Sequence, residues 1–96
     1  MPRVVLGSAL ARWLDGGSST GGERAIDVQA DTLGAALERV FAAHPAVRGY
    51  VLDEHGAVRH HLALFVDGEA LRDKGALDRA IGPQAEIYVM QALSGG

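Results

Sequence analysis

One amphipathic stripe sets the terms for folding this chain. Leu33, Leu37, Val40 and Phe41 recur at i, i+4, i+7 and i+8, with Glu38 and Arg39 on the other side, the spacing of a helix that is apolar along a single face. Asp31 or Thr32 supplies an N-cap. Pro45 disfavours helical geometry at His44, so the spacing predicts a helix of about three turns that ends there. A lone stripe cannot close a core against itself, and it needs a second layer to cover it.

The flanking sequence supplies strands for that layer. Upstream, Ile26 and Val28 alternate with Asp27 and Gln29, the period of a strand with one buried face. Val4, Val5 and Leu6, next to Gly7, suit a short first strand that pairs with it. From Ser8 to Leu14 the residues fit either a helical turn or a longer first strand, and Asp15 to Gly22 has the composition of a hairpin loop. Downstream come a short apolar piece, Tyr50, Val51 and Leu52, and a turn over Asp53, Glu54, His55 and Gly56.

Val58 to Val66 is the strongest strand signal in the chain. Its near-continuous apolarity predicts a central strand covered on both faces, and it runs into Asp67 and Gly68, a favoured type I′ turn pair. Leu71 to Gly75 reads as a loop or short return strand. Leu77, Ala80 and Ile81 read as a helical turn stopped by Gly82 and Pro83. The last strand, Glu86 to Ala92, puts Ile87 and Val89 on one face and Tyr88 and Met90 on the other. At 96 residues the layout is a single α+β domain.

The last strand runs into Leu93, Ser94, Gly95 and Gly96. Two terminal glycines give a narrow end that threads where a side chain would clash. Chance alone would end roughly one chain in two hundred this way, so the weight of the feature rests on what precedes it. Residues 93–96 are expected to form a flexible tail on a domain spanning 1–96.

Composition removes several kinds of chemistry from the body. Twelve acidic and nine basic residues are scattered without runs, and Lys74 is the single lysine, which argues against a nucleic-acid partner. With no cysteine there is no side-chain thiol to carry sulfur or hold a metal. No apolar run approaches a membrane span. The stretch from Arg3 to Ala11 is too short for a signal peptide, and cleavage there would remove the first strand, so a cytoplasmic protein is expected. Gly16 and Gly21 have the separation of a phosphate-binding loop, but Gly22 and Glu23 stand where Lys and Ser or Thr are needed. His44, His55, His60 and His61 lack the spacing of a helical zinc motif. Neither a nucleophile triad nor a carboxylate pair can be argued from spacing.

The order of elements, the strand-turn Phe65, Val66, Asp67, Gly68, Glu69 and the ending Leu93, Ser94, Gly95, Gly96 together resemble the ubiquitin-like sulfur carriers of the MoaD/ThiS type, over essentially the whole chain. The resemblance implies a β-grasp fold, a mixed sheet of four to five strands with one main helix packed across it and an exposed C-terminal diglycine. It implies a carrier that is not itself an enzyme. The carboxylate of Gly96 would be adenylated by an E1-like activating enzyme that uses ATP, then converted to a thiocarboxylate for sulfur donation in cofactor or metabolite biosynthesis. Partners would be that enzyme, a sulfur donor protein and a downstream sulfur-accepting synthase, with no cofactor or metal bound by this chain.

An α-carboxylate of pKa about 3.3 to 3.7 is ionised at neutral pH and resists nucleophilic attack, which is why it needs activation. The family places an exposed apolar contact at the position of Met90, and strand parity gives it Tyr88 and Phe65 as neighbours in a docking face. Where many relatives carry an Asp-Gly-Asp turn and prolines near the tail, this chain has Gly82, Pro83, Gln84, Ala85 and then Gln91, Ala92, which leaves the pathway open. Two other readings stand beside the carrier: a modifier joined through Gly96 to lysines of other proteins, and a non-covalent interaction module.

Overall fold

The structure, a computed structural model, describes residues 1–11, 23–59, 61–71 and 77–91. The first strand, β1 (Arg3–Leu6), is followed by a one-turn helix, α1 (Ser8–Ala11). Gly7 joins them, and its carbonyl accepts the N–H groups of Leu10 and Ala11 at 3.0 and 2.8 Å. Of the two options open to Ser8–Leu14, the described part, Ser8–Ala11, takes the helical turn, and 12–14 lie outside the described residues. The predicted loop, Asp15 to Gly22, and its glycine pair at 16 and 21 fall within 12–22, outside the described residues.

Strand β2 (Arg24–Asp27) returns antiparallel to β1, with Val4 opposite Ile26. Helix α2 (Leu33–Ala43) follows and buries Leu33, Ala36, Leu37, Val40 and Phe41, the stripe expected from its spacing. Thr32 is its N-cap: the residue is extended, and its hydroxyl accepts the Ala35 N–H at 3.1 Å.

Pro45 ends α2 and also begins a second helix, α3 (Pro45–Val51), at whose first position it stands. The sequence pattern predicts only a short apolar piece here. Val47 and Val51, one turn apart, are both fully buried and hold α3 to the core. Arg48 ties it to α2, donating from one guanidinium nitrogen to both carboxylate oxygens of Glu38 at 2.7 and 3.0 Å and lying 5.7 Å from the centre of the Phe41 ring.

Strand β3 is shorter than the sequence signal, Leu62–Val66; Val58 instead bridges Leu52 across the Asp53 turn. Asp67 and Gly68 both have positive φ, 52° and 83°, as a type I′ turn requires. They lead into β4 (Glu69–Ala70), and the last strand is β5 (Glu86–Gln91). The five strands run in the order β2-β1-β5-β3-β4, with β1 and β5 parallel and the other pairs antiparallel. β5 is thus the central strand. β3 is not covered on both faces: Leu62, Leu64 and Val66 are buried while Ala63 and Phe65 stay partly exposed.

Residues 77–81 form no helix. Leu77 and Asp78 make a turn and Ala80 bridges Thr32, because the backbone here is used to finish α2. The Leu33 N–H donates to the Arg79 carbonyl at 2.9 Å and the Gly34 N–H to the Leu77 carbonyl at 2.7 Å. With the Thr32 hydroxyl on Ala35, the first three N–H groups of α2 are all bonded.

Gly34 is required at that seam. A Cβ there would stand 2.9 Å from the Leu77 carbonyl oxygen, a backbone atom, whereas a Cβ at Gly49 in α3 would meet nothing within 4 Å. Gly34→Ala is expected to lower the unfolding free energy by about 1–3 kcal/mol and Gly49→Ala to raise it by about 0.4–1 kcal/mol, both read by chemical denaturation.

The Asp53 turn carries a second test. The Asp53 carboxylate accepts the N–H groups of His55 at 2.8 Å and Ala57 at 3.1 Å. These bonds, Ala57 first, with the positive charges of His55 and Arg59 adding to them, lower its pKa from 3.8. A carboxyl with a lowered folded-state pKa stabilises the fold above its ordinary value and ceases to do so as pH falls through the folded value. The stability gap between wild type and Asp53→Ala is therefore expected to be constant from neutral pH down to about 4 and to shrink below it, in denaturant melts across pH.

Candidate functional site

All of the apolar side chains that α2 and α3 cover lie on one face of the sheet. Along β5, Ile87 and Val89 are fully buried and belong to the continuous core with Val4, Leu6, Leu62, Leu64 and Val66. The intervening residues point the other way, as the period of two demands. Tyr88 and Met90 are partly exposed on the face without helices, and Phe65 stands directly opposite Tyr88 in the antiparallel register of β3 and β5. The three residues expected to form one patch do share a face.

The register adds residues that sequence periodicity did not single out. Ala63 is opposite Met90, and Val5 is aligned with Tyr88 on one side and Ala25 on the other. Val5 is 4% exposed yet stands outside the core cluster; Tyr88 is the neighbour in its row large enough to cover it. Gly7 follows β1 and donates its N–H to the Val89 carbonyl at 2.8 Å, and a Cβ on it would lie 3.1 Å from the Cβ of Met90. The signal for these residues was in the sequence, in the apolar Val5 and the bare Gly7, but only strand order shows that they flank β5.

This apolar patch has a charged border at one end. The row at the start of β5 sets Arg3 between Asp27 and Glu86, with the Arg3 Nε 3.4 Å from an Asp27 carboxylate oxygen. Asp67 closes the same end: its N–H donates to the Glu86 carbonyl and its carboxylate accepts the Glu86 N–H, both at 2.8 Å. At the opposite end, Gln91 is aligned with Leu62, the first residue of β3, while β1 has already turned into α1 at Gly7. β1 thus leaves the sheet at the Val89 row, two residues before Gln91, while β3 reaches the Gln91 row.

Leu93, Ser94, Gly95 and Gly96 lie outside the described residues, as does His60. Among the described residues no group of three or more His, Cys, Asp or Glu is placed to hold a metal ion, no polar or charged side chain is buried, and no helix is long and apolar enough to cross a membrane. An open groove of about 720 Å³ lies between the N-terminal residues and the start of α2, lined by Met1, Gln29, Asp31, Thr32 and Arg39 among others. It lies on the Arg3 end of the sheet, away from Gln91.

No family model matches the chain. It is 33% identical over 72 residues to Small archaeal modifier protein 1 of Haloferax volcanii, covering 74% of this chain and 78% of that one. A crystal structure of SAMP1 from Haloferax volcanii superposes with a TM-score of 0.72 at 28% identity, covering 99% of this chain and 98% of the other. The Sulfur carrier protein CysO of Mycobacterium tuberculosis is 27% identical over 79 residues, 80% of this chain and 85% of that protein. A chain of the Amycolatopsis orientalis BexX/CysO complex shares the fold, with a TM-score of 0.73 at 18% identity over 97% of this chain and 99% of that one.

Val5 tests whether the open face is built rather than incidental. Val5→Ala removes two buried methyl groups and is expected to cost about 1–2 kcal/mol by denaturant melt although it touches no part of the main core. Ala25→Ser, an exposed position in the same row, is expected to stay within about 0.5 kcal/mol.

Proposed function

Because the chain belongs to the MoaD/ThiS-type family of ubiquitin-like, β-grasp sulfur carriers and small modifiers, we propose that it works through the carboxylate of Gly96, presented by the centre of the sheet. An E1-like enzyme takes the open face as its docking surface. The carboxylate oxygen attacks the α-phosphorus of ATP held by that enzyme, pyrophosphate leaves, and the acyl-adenylate forms. The terminal sulfur of a donor protein's cysteine persulfide then displaces AMP to give an acyl disulfide. A second thiol attacks the donor's cysteine sulfur, breaking the S–S bond, becoming a disulfide with that cysteine and leaving a thiocarboxylate on Gly96 for a downstream synthase.

The observation that carries this reading is the coincidence of patch and strand end. Phe65, Tyr88 and Met90 share one face, and Met90 is one residue from Gln91, the row where β3 ends and two residues past the last row that β1 reaches. Fully extended, the five residues after Gln91 span at most roughly 17 Å. A partner seated on the patch would therefore hold its nucleotide within that reach. Solvent-facing aromatic and Met side chains gathered on a sheet are the composition that interface centres favour.

A second reading is favoured by one finding. The 33%-identical relative is named a modifier, and the same activated Gly96 could be captured by a lysine amine to form an isopeptide bond, with AMP or a thiol as leaving group.

The two readings separate by intact mass of the chain purified from its native host: replacement of one terminal oxygen by sulfur supports the carrier, and a ladder of covalent conjugates supports the modifier. In ATP–pyrophosphate exchange with the host's activating enzyme, deletion of Gly96 is expected to abolish exchange. Phe65→Glu or Met90→Arg is expected to lower kcat/KM by roughly tenfold or more with the melting temperature unchanged. Exchange that survives loss of Gly96 would overturn both readings.

A further inference from the structure

The chain holds two sulfur atoms, in Met1 and Met90, and no cysteine. They differ in place. Met1 is 65% exposed at the far end of the molecule, beside the Arg3 border. Met90 is partly exposed within the patch, opposite Ala63 and beside Gly7. Small neighbours on two sides mean that no bulky side chain in its own row shields the thioether. The rest of the patch, Phe65, Val5 and the Tyr88 ring, is apolar and offers few groups that could donate a hydrogen bond.

From this placement we infer that Met90 is a reversible oxidation site that switches the docking face off, with hydrogen peroxide or a related two-electron peroxide as oxidant. The inference rests on the docking role proposed above. The sulfur lone pair attacks a peroxide oxygen, the O–O bond breaks, an S–O bond forms and water leaves, giving methionine sulfoxide. Two thiols of a sulfoxide reductase restore the thioether, becoming a disulfide and releasing water. The sulfoxide converts a soft apolar knob into a strong acceptor. In the free carrier water bonds to it. Against an apolar partner surface it would be left unpaired, which penalises the complex and not the fold.

The switch gives a sulfur carrier a way to stop being loaded when peroxide is abundant, without a cysteine that would compete with the terminal carboxylate for sulfur. It acts before adenylation, so no ATP is consumed on a carrier that is out of service.

The test treats the full chain with hydrogen peroxide and maps oxidation by peptide mass. The thermal melt is recorded, and ATP–pyrophosphate exchange with the host's activating enzyme is measured with and without treatment. The expected result is oxidation at Met90, an unchanged melt and exchange lowered about tenfold, restored by a methionine sulfoxide reductase. Met90→Leu, which retains Met1, is expected to give equal rates with and without peroxide, whatever its own starting rate. Oxidation of Met1 with Met90 untouched, full exchange by protein oxidised at Met90, or peroxide loss in Met90→Leu equal to wild type would each overturn the inference. If the untreated chain supports no exchange, the docking reading fails and the switch falls with it.

Discussion

The pairing that everything else depends on is the parallel contact between β1 and β5. These are the first and last strands of the described chain, and no tight turn can join parallel neighbours. The intervening chain must cross from one end of the sheet to the other, and α2 and α3 are the main helical part of that crossing. β2 and β3 can then only flank the pair from outside, each antiparallel to its neighbour. The last strand is consequently enclosed by β1 and β3, and its backbone is paired on both sides. A terminal strand at a sheet edge would expose a row of open N–H and C=O groups; here β5 is anchored on both sides and the edges fall to β2 and the two-residue β4.

That arrangement also makes the molecule one-sided. Among the described residues, every helix packs on the side of the face that carries Ile87 and Val89, and the other face has no helical layer. It is nevertheless apolar along its middle row, from Ala25 through Val5 and Tyr88 to Phe65 and Ala70, and charged at the row of Asp27, Arg3 and Glu86. A purely solvated sheet face would alternate polar residues with the core residues. The departure from that pattern runs from the middle row to the Met90–Ala63 row next to Gln91, which places the patch beside the end of β5.

Much of this could be read from the residues. Periodicity was sufficient for α2, for β2 and for the parity of β5, because each has one wet side and one dry side. It failed for β3 on account of Ala63 and Phe65: with a core on one face and an apolar patch on the other, the strand imitates one buried on both. The misreading therefore falls on the candidate site itself. α3 escaped notice because Pro45 is both a stop for α2 and a start for the next helix, and because Val47 and Val51, with Gly49 between them, give only one turn of signal. Leu77, Ala80 and Ile81 do have helical spacing, but their backbone is recruited to bond the start of α2, a tertiary demand that no local pattern records. Gly7 and Val5 became legible only once β1 was known to lie beside β5.

On the function proposed above, the start of α2 bears on where the activation chemistry would reside. A helix N-terminus attracts phosphate because its first N–H groups lack partners and its dipole is positive there. In this chain the N–H of Leu33 is held by the Arg79 carbonyl, that of Gly34 by the Leu77 carbonyl and that of Ala35 by the Thr32 hydroxyl. Displacing them would open the seam between α2 and residues 77–81, the same seam that excludes a Cβ at Gly34. The three-turn helix, which by length and dipole would be the natural phosphate anchor, is thus committed to holding the fold together. On that reading, a nucleotide meeting the carboxylate of Gly96 would be held by the partner proposed to dock on Phe65, Tyr88 and Met90. On the function proposed above, the division of labour would follow from this packing: this chain would supply β5 and the patch beside it, and the partner would supply the phosphate site.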